Sequence, residues 1–222
     1  MQGLDLQMVV AVIAATGGLG LAAMSLVDAL KAVPGGGVSK IGFHHVLACL
    51  ENFPGVLERA AGKDWRKVVL AHWINGRARN DQIGVIRSLL RLGLNADTAA
   101  ELAAIGNVDA GKLGAVAEKL VQGKAMTEPE LNLLGRVEAA VQARLDAAFD
   151  LAEQGYRNKA RVIAGALAIL LALVAALVTG YETQLGLAVV LGVLAVPIAP
   201  IAKDLVSALT AAAGAVKSTR KS

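Results

Sequence analysis

Residues 9–24 read VVAVIAATGGLGLAAM and are compatible with two different folds. A strand that runs into a glycine-rich turn and then a helix presents backbone N–H groups to a pyrophosphate in dinucleotide-binding folds, and TGGLGLA approaches that pattern. The same residues are also uncharged and apolar enough to form a membrane-spanning helix. The rest of the chain decides between the two.

The sequence after this stretch favours the membrane. A dinucleotide fold continues with strand and helix units and an acidic residue about 20 positions on, whereas here KAVPGGGVSK (31–40) is a Pro and Gly linker and only helical patterns follow. The dehydrogenase family that the motif resembles also uses a Tyr and a Lys four apart. The candidate pair here, Tyr156 and Lys159, is three apart. We therefore expect no nucleotide or other cofactor.

Hydropathy predicts three membrane spans. The chain is 55% apolar, and its mean hydropathy is +0.57. Uncharged stretches occupy Leu6–Val27, Val162–Tyr181 and Thr183–Ala202, and each is about the 20 residues that a helix needs to cross a bilayer. We predict an all-α integral membrane protein with three transmembrane helices and a cytoplasmic helical domain inserted between the first and second.

Turn signals and a helix cap divide the chain further. In TEPE, Thr127 and Glu130 have the spacing of a capping box, so a long helix is expected to start there. The predicted segments are transmembrane helix 1 (6–30), a Pro/Gly linker (31–38), the helical domain (39–126), a long amphipathic helix leading into the membrane (127–160), transmembrane helix 2 (161–181), transmembrane helix 3 with a Pro kink (183–203) and a basic cytoplasmic tail (204–222).

Charge asymmetry predicts the orientation. Between Lys31 and Arg161 there are 18 Lys and Arg against 14 Asp and Glu, whereas the link YETQLG carries Glu182 and no basic residue. The positive-inside rule then places the central domain and the C-terminus in the cytoplasm and the N-terminus outside the inner (plasma) membrane. A cleaved signal peptide is the alternative for the first stretch, although the usual basic start is missing.

Small residues recur at four-residue spacing in all three spans, where they would let helices pack closely. A chance outcome of an Ala-rich chain is the alternative. The predicted packing residues are Ala14, Gly18 and Ala22 in the first span, Ala164, Ala168, Ala172 and Ala176 in the second, and Ala188 and Gly192 in the third.

The end of the third span, LAVPIAPIAKDLVSAL, contains Pro197 and Pro200. Each removes a backbone donor, which predicts a kink or a break. Together with YRNKAR before the second span, this ending resembles the C-terminal ends of uncharacterised bacterial multi-span membrane proteins. The resemblance covers about a quarter of the chain and implies no activity.

One segment of the central domain is markedly basic. From Glu58 to Arg91 there are eight Lys and Arg against three acidic residues, and both tryptophans fall there. Basic, Trp-bearing helices suit the headgroup layer of an anionic leaflet. The predicted membrane-surface or partner contacts are Trp65, Arg66, Lys67, Trp73, Arg77 and Arg79. A solvated basic face with the tryptophans in a small core is the alternative, and nucleic-acid binding is disfavoured.

No catalytic or metal-binding residues are predicted. The soft-ligand types are His44, His45, Cys49 and His72, and they lack the paired spacing of a zinc site. No nucleophile lies beside a recognisable base.

The sequence therefore predicts a non-enzymatic membrane anchor or scaffold. Its expected partners are the lipid bilayer, anionic headgroups, and a cytoplasmic protein or a second copy of the chain. An oligomeric pore or transport component is the first alternative, and a membrane enzyme of unknown chemistry is the second.

Overall fold

The computed structural model describes residues 6–31, 33 and 37–219, and all regular structure within them is helical, which confirms the all-α prediction. Short 3₁₀ turns occupy Gly37–Lys40 and Glu182–Gln184. The α-helices are α1 (Leu6–Lys31), α2 (Phe43–Leu50), α3 (Pro54–Ala61), α4 (Trp65–Ile74), α5 (Arg79–Gly93), α6 (Ala99–Gly106), α7 (Ala110–Val121), α8 (Glu128–Val178) and α9 (Leu185–Thr219).

The chain forms two compact units. The helical domain is Ser39–Tyr156, and the span unit combines the described residues of Met1–Val38 with those of Arg157–Ser222. The long helix α8 contributes to both units.

Within the span unit, α1, α8 and α9 are long and apolar enough to cross a membrane, as predicted. In their apolar windows only 22%, 22% and 33% of the residues are buried inside the chain. Water would solvate such surfaces poorly, whereas lipid tails are as apolar as the side chains themselves. The exposed apolar surface of these helices therefore suits a bilayer.

The glycine-rich stretch 9–24 lies wholly inside α1. A dinucleotide fingerprint requires a strand, a turn and then a helix, so that backbone N–H groups are free to face a phosphate. Inside a helix those N–H groups are bonded to the preceding turn. The nucleotide-binding alternative is therefore wrong for this stretch.

The core of the span unit consists of small side chains. Ala23 of α1, Ala168 of α8 and Ala195 of α9 are fully buried together, and leucines and a valine pack around them. A Cβ added at Gly20 would overlap the backbone oxygen of Ala195. The backbones of α1 and α9 therefore approach each other closely here, which small residues permit.

The predicted third span, tail and linker can be compared with the helices of the structure. Helix α9 continues through Pro197 and Pro200, so the predicted break does not occur, and a kink stays a prediction. The predicted tail is helical as far as Thr219, whereas Arg220 and Lys221 lie outside the described residues. Half of the predicted Pro/Gly linker, residues 32 and 34–36, also lies outside them.

The helical domain is built on one apolar core. Leu50, Val56, Trp65, Ile86 and Leu113 are among its fully buried residues. Helix α8 adds a stripe at three- and four-residue spacing, which is the helical period. That stripe consists of Leu134, Val137, Val141, Leu145, Phe149 and Ala152. The core thus extends past residue 126, where the sequence analysis ended the domain.

Local bonds explain where two helices of the domain begin. The backbone N–H of Thr127 donates to Oε2 of Glu130 over 2.8 Å, which is one half of the predicted capping box. Helix α3 starts with Pro54, whose missing N–H costs little at that position. The next two N–H groups, of Gly55 and Val56, donate to the carboxylate of Glu101 on α6, both over 3.1 Å.

Candidate functional site

The two tryptophans of the predicted contact segment belong to the core of the helical domain. Trp65 is 1% exposed. Trp73 packs between Phe43 and Phe149, with ring centroids 6.1 and 5.9 Å away, and its Nε1–H donates to the backbone oxygen of Ser39. Trp65 is thus part of the core, and Trp73 is half-buried and packs against it. This placement agrees with the alternative that puts the tryptophans in a small core.

The basic residues of α4 are exposed and lightly paired. The guanidinium carbon of Arg66 lies 4.5 Å from the centroid of the Trp65 ring, and its Nη2 is 3.5 Å from Glu51. Lys67 bonds Asp64 over 2.8 Å, and this hydrogen bond raises the pKa of the lysine. Arg77, after the end of α4, is also exposed. These three predicted contact residues therefore present their charges to solvent.

Arg79 has a different environment from the other predicted contacts. Its Nη2 donates to both the backbone oxygen and Oδ1 of Asp146 on α8, over 2.8 and 3.0 Å, and its Nη1 pairs with Asp150. Hydrogen bonding to Asp150 first, and then to Asp146, raises the pKa of Arg79. Arg79 therefore joins α5 to α8.

Two further arginines of α5 continue this contact with α8. Nη1 of Arg87 donates to Gln142 over 3.1 Å, and Nε of Arg91 donates to Glu138 over 2.7 Å. Glu138 raises the pKa of Arg91 through that hydrogen bond. We call the whole set the α5–α8 seam: Arg79, Arg87, Arg91, Glu138, Gln142, Asp146 and Asp150.

The α5–α8 seam gives a structural role to part of the charge difference between segments 58–91 and 92–160. The sequence alone did not predict this role. Segment 58–91 is basic and segment 92–160 is acidic. The signal was present in the opposite signs of the two segments, because facing helices of opposite charge attract each other. The basic residues of segment 58–91 outside the seam are all exposed. We call them the α3–α4 basic surface: Arg59, Lys63, Arg66, Lys67 and Arg77.

The small-residue faces of the spans differ in their burial. On α8, Ala164, Ala168 and Ala172 are buried and Ala176 is half-buried, and on α9 both Ala188 and Gly192 are buried. A Cβ added at Gly192 would overlap the backbone of Ile169 on α8. These predicted residues therefore lie where the chain packs on itself.

The packing face of α1 is offset from the prediction. Ala14 is half-buried, whereas Gly18 and Ala22 are exposed, and a Cβ added at Gly18 would meet nothing within 4 Å. Gly17 and Gly20 instead approach α9, at Ala202 and Ala195. Residues one position apart differ by about 100° around a helix with 3.6 residues per turn, so this small offset changes the face that meets α9.

The soft-ligand side chains do not form a metal centre among the described residues. His44 and His45 have ring centroids 3.9 Å apart, but no group of three or more His, Cys, Asp and Glu residues is placed to hold a metal ion in that part of the chain. Burial raises the pKa of the Cys49 thiol, while Arg144 lowers it to a smaller extent. At neutral pH this thiol is mostly protonated and a poor nucleophile.

The fold and these surfaces define an all-helical protein whose three longest apolar helices can each cross a membrane. Comparison with known proteins adds no relative. No family model, curated protein or solved structure matches the chain.

Proposed function

We propose that this chain is a non-enzymatic membrane anchor or scaffold. Three spans hold it in the inner (plasma) membrane, and its helical domain lies in the cytoplasm. That domain contacts anionic lipid headgroups through the α3–α4 basic surface. An acidic surface on a cytoplasmic protein is the other partner that this surface would suit.

The observation that carries the proposal is the continuity of α8. Leu145, Phe149 and Ala152 of this helix are buried in the core of the domain. The same helix runs on without interruption through the uncharged stretch Val162–Val178. Each turn of an uninterrupted helix is hydrogen-bonded to the next, so no break in regular structure separates these two stretches. The helical domain would therefore be anchored in the membrane through α8 itself.

The cytoplasmic placement rests on the distribution of Lys and Arg. The turn between α8 and α9 carries Glu182 and no basic residue, whereas the segment from Lys31 to Arg161 carries 18. Orientation follows the Lys and Arg close to the span ends, which are retained on the cytoplasmic side. Here Lys31 follows the first span, and Arg157, Lys159 and Arg161 precede the second. The anionic inner leaflet is then the membrane surface available to the domain.

The α3–α4 basic surface has the charge for a reversible contact. Each basic side chain near an anionic leaflet contributes about 1 kcal/mol, screened over about 8 Å at physiological salt. Arg66 and Lys67 already pair with Glu51 and Asp64, which reduces their contribution to the free energy of membrane binding. The contact is therefore weak in an isolated domain and is favoured when spans hold the domain at the membrane.

Sedimentation with liposomes tests the headgroup contact. Residues 39–156, which contain the whole domain core, are mixed with anionic or neutral vesicles at low and high salt. We expect cosedimentation with anionic vesicles at low salt only, and loss of binding when Arg66, Lys67 and Arg77 are all changed to Gln. Arg79 is left unchanged because it holds α5 on α8.

A charge-matched variant controls for net charge. Lys112, Lys124 and Arg144 are exposed outside the α3–α4 basic surface, and their change to Gln removes the same charge. This variant should still bind. Equal binding to neutral vesicles, or equal loss in both variants, would reject the surface as the contact.

Exposed small residues on α1 favour a second candidate, an oligomeric pore or transport component. Gly18 and Ala22 face away from α9 and are uncovered, and in a bilayer such residues permit close approach of another helix. Ion conductance across reconstituted liposomes discriminates the two candidates. A simple anchor should give no ion conductance.

A further inference from the structure

The span unit contains a sizeable cavity between α1, α8 and α9. Its volume is about 350 Å³, and it is partly open to the outside. This volume falls within the range of roughly 300–1,000 Å³ that is typical of small-molecule sites. The cavity exists because the helices carry alanines where larger side chains would fill the space, as at Ala172, Ala176 and Ala188.

The chemistry of the cavity changes along its length. Thr179, Tyr181 and Gln184 line it at the turn between α8 and α9, and Tyr181 is 58% exposed. Away from that turn the α8 and α9 walls are alanine and leucine, and α1 contributes Ala15, Thr16 and Leu19. The hydroxyl of Thr179 already donates to the backbone oxygen of Ala175. Tyr181 and Gln184 therefore remain as the groups that a polar end of a ligand would meet.

We propose that this cavity binds one acyl chain of a membrane phospholipid, with the ester and headgroup end at Tyr181 and Gln184. The proposal rests on the insertion of the span unit in a bilayer, as inferred above. There, lipid tails are the molecules that adjoin the open side of the cavity. A lipid tail in the cavity would supply the dispersion contacts that its alanine and leucine walls lack when they are uncovered.

A flexible acyl chain fits these walls better than a rigid ring or a helix would. The cavity is elongated from the turn along both α8 and α9, since Ala172 lies seven residues from Thr179 and Leu191 lies seven from Gln184. Three of its four polar lining residues are at the turn, which matches the single polar end of a lipid. Tyrosine is itself common at the membrane–water interface, where its ring is in the headgroup layer.

Native mass spectrometry of the full chain, extracted from membranes in mild detergent, tests this site. We expect one phospholipid to be retained on each chain. Ala176→Phe fills the cavity and should abolish retention. Ala166→Phe is the matched control, because Ala166 is an exposed alanine of the same helix that does not line the cavity, and it should retain the lipid.

The outcomes separate this proposal from the anchor function. A chain that is absent from the membrane fraction contradicts both. A membrane-inserted chain without a lipid, with an adduct of another mass, or with a second copy in place of lipid contradicts only the cavity proposal. If Ala176→Phe does not fold, a phospholipid with a photoreactive acyl chain is used on the wild type. Label on the buried Ala172 and Ala188 supports the site, and its absence there overturns it.

Discussion

Arg79, the first residue of α5, bonds Asp146 on α8 twice, through the backbone oxygen over 2.8 Å and through Oδ1 over 3.0 Å. The two residues are 67 positions apart in the sequence. This contact, together with the pair to Asp150, turns a residue predicted to bind a membrane surface into one that holds the domain together. Substitution of Arg79 should therefore change stability.

Arg79→Gln should lower the free energy of unfolding of residues 39–156 by about 1–2 kcal/mol, because partly exposed charged hydrogen bonds contribute in that range. Arg77→Gln is the control, since Arg77 is exposed and its change should stay within about 0.5 kcal/mol. Urea denaturation measures both. Equal effects of the two substitutions would mean that the seam does not stabilise the domain.

The packing face of α1 predicts opposite outcomes for two neighbouring glycines. Gly20→Ala should destabilise the span unit by about 1–3 kcal/mol, the usual cost of overpacking, because the new Cβ overlaps Ala195. Gly18→Ala should not, since its Cβ meets nothing within 4 Å. Thermal unfolding of the full chain in detergent measures the difference. A greater loss for Gly18→Ala would place the contact on the face that sequence spacing predicts.

Glu130 predicts a specific loss of stability in acid. Its hydrogen bond from Lys119, and then the bond from the backbone of Thr127, lower the pKa of the carboxyl. A lowered pKa in the folded state means that the stabilisation is complete above the pKa of the unfolded state and is lost as pH falls through the folded pKa. Wild type should therefore exceed Glu130→Gln in stability at neutral pH and converge with it in acid.

The control for this pH dependence is Glu128→Gln. Glu128 is an exposed acid in the same turn of α8. Urea denaturation of residues 39–156 at a series of pH values gives the curves. If Glu128→Gln removes as much of the acid-sensitive stability as Glu130→Gln does, the bonded pair with Lys119 is not its source.

The long elements of this fold are predictable because their signals are local. The capping spacing of Thr127 and Glu130 marks the start of α8, and a continuous apolar stripe carries the helix onward, as the structure confirms. Three uncharged stretches likewise predict the three helices that can cross a membrane. Each of these signals lies within a few turns of one helix and needs no knowledge of its neighbours.

The contacts of the candidate surface are less predictable because they join distant segments. Trp65 and Arg79 both lie in a basic segment, yet one is buried and the other is paired with α8. On α1, small residues occur on several faces, so spacing alone does not distinguish Gly20 from Gly18. Which face packs depends on where α9 lies, and that is decided by tertiary contacts.

Topology reporters in the full chain test whether three spans place the helical domain in the cytoplasm. Paired reporters, each active on only one side of the membrane, are fused at Gly123, Glu182 and Ser222. We expect a cytoplasmic signal at Gly123 and Ser222 and an external signal at Glu182. Lys31 follows the first span, Arg157, Lys159 and Arg161 precede the second, and Lys203 and Lys217 follow the third, whereas the turn at Glu182 has no basic residue. An external signal at Gly123 would contradict both the orientation and the headgroup contact.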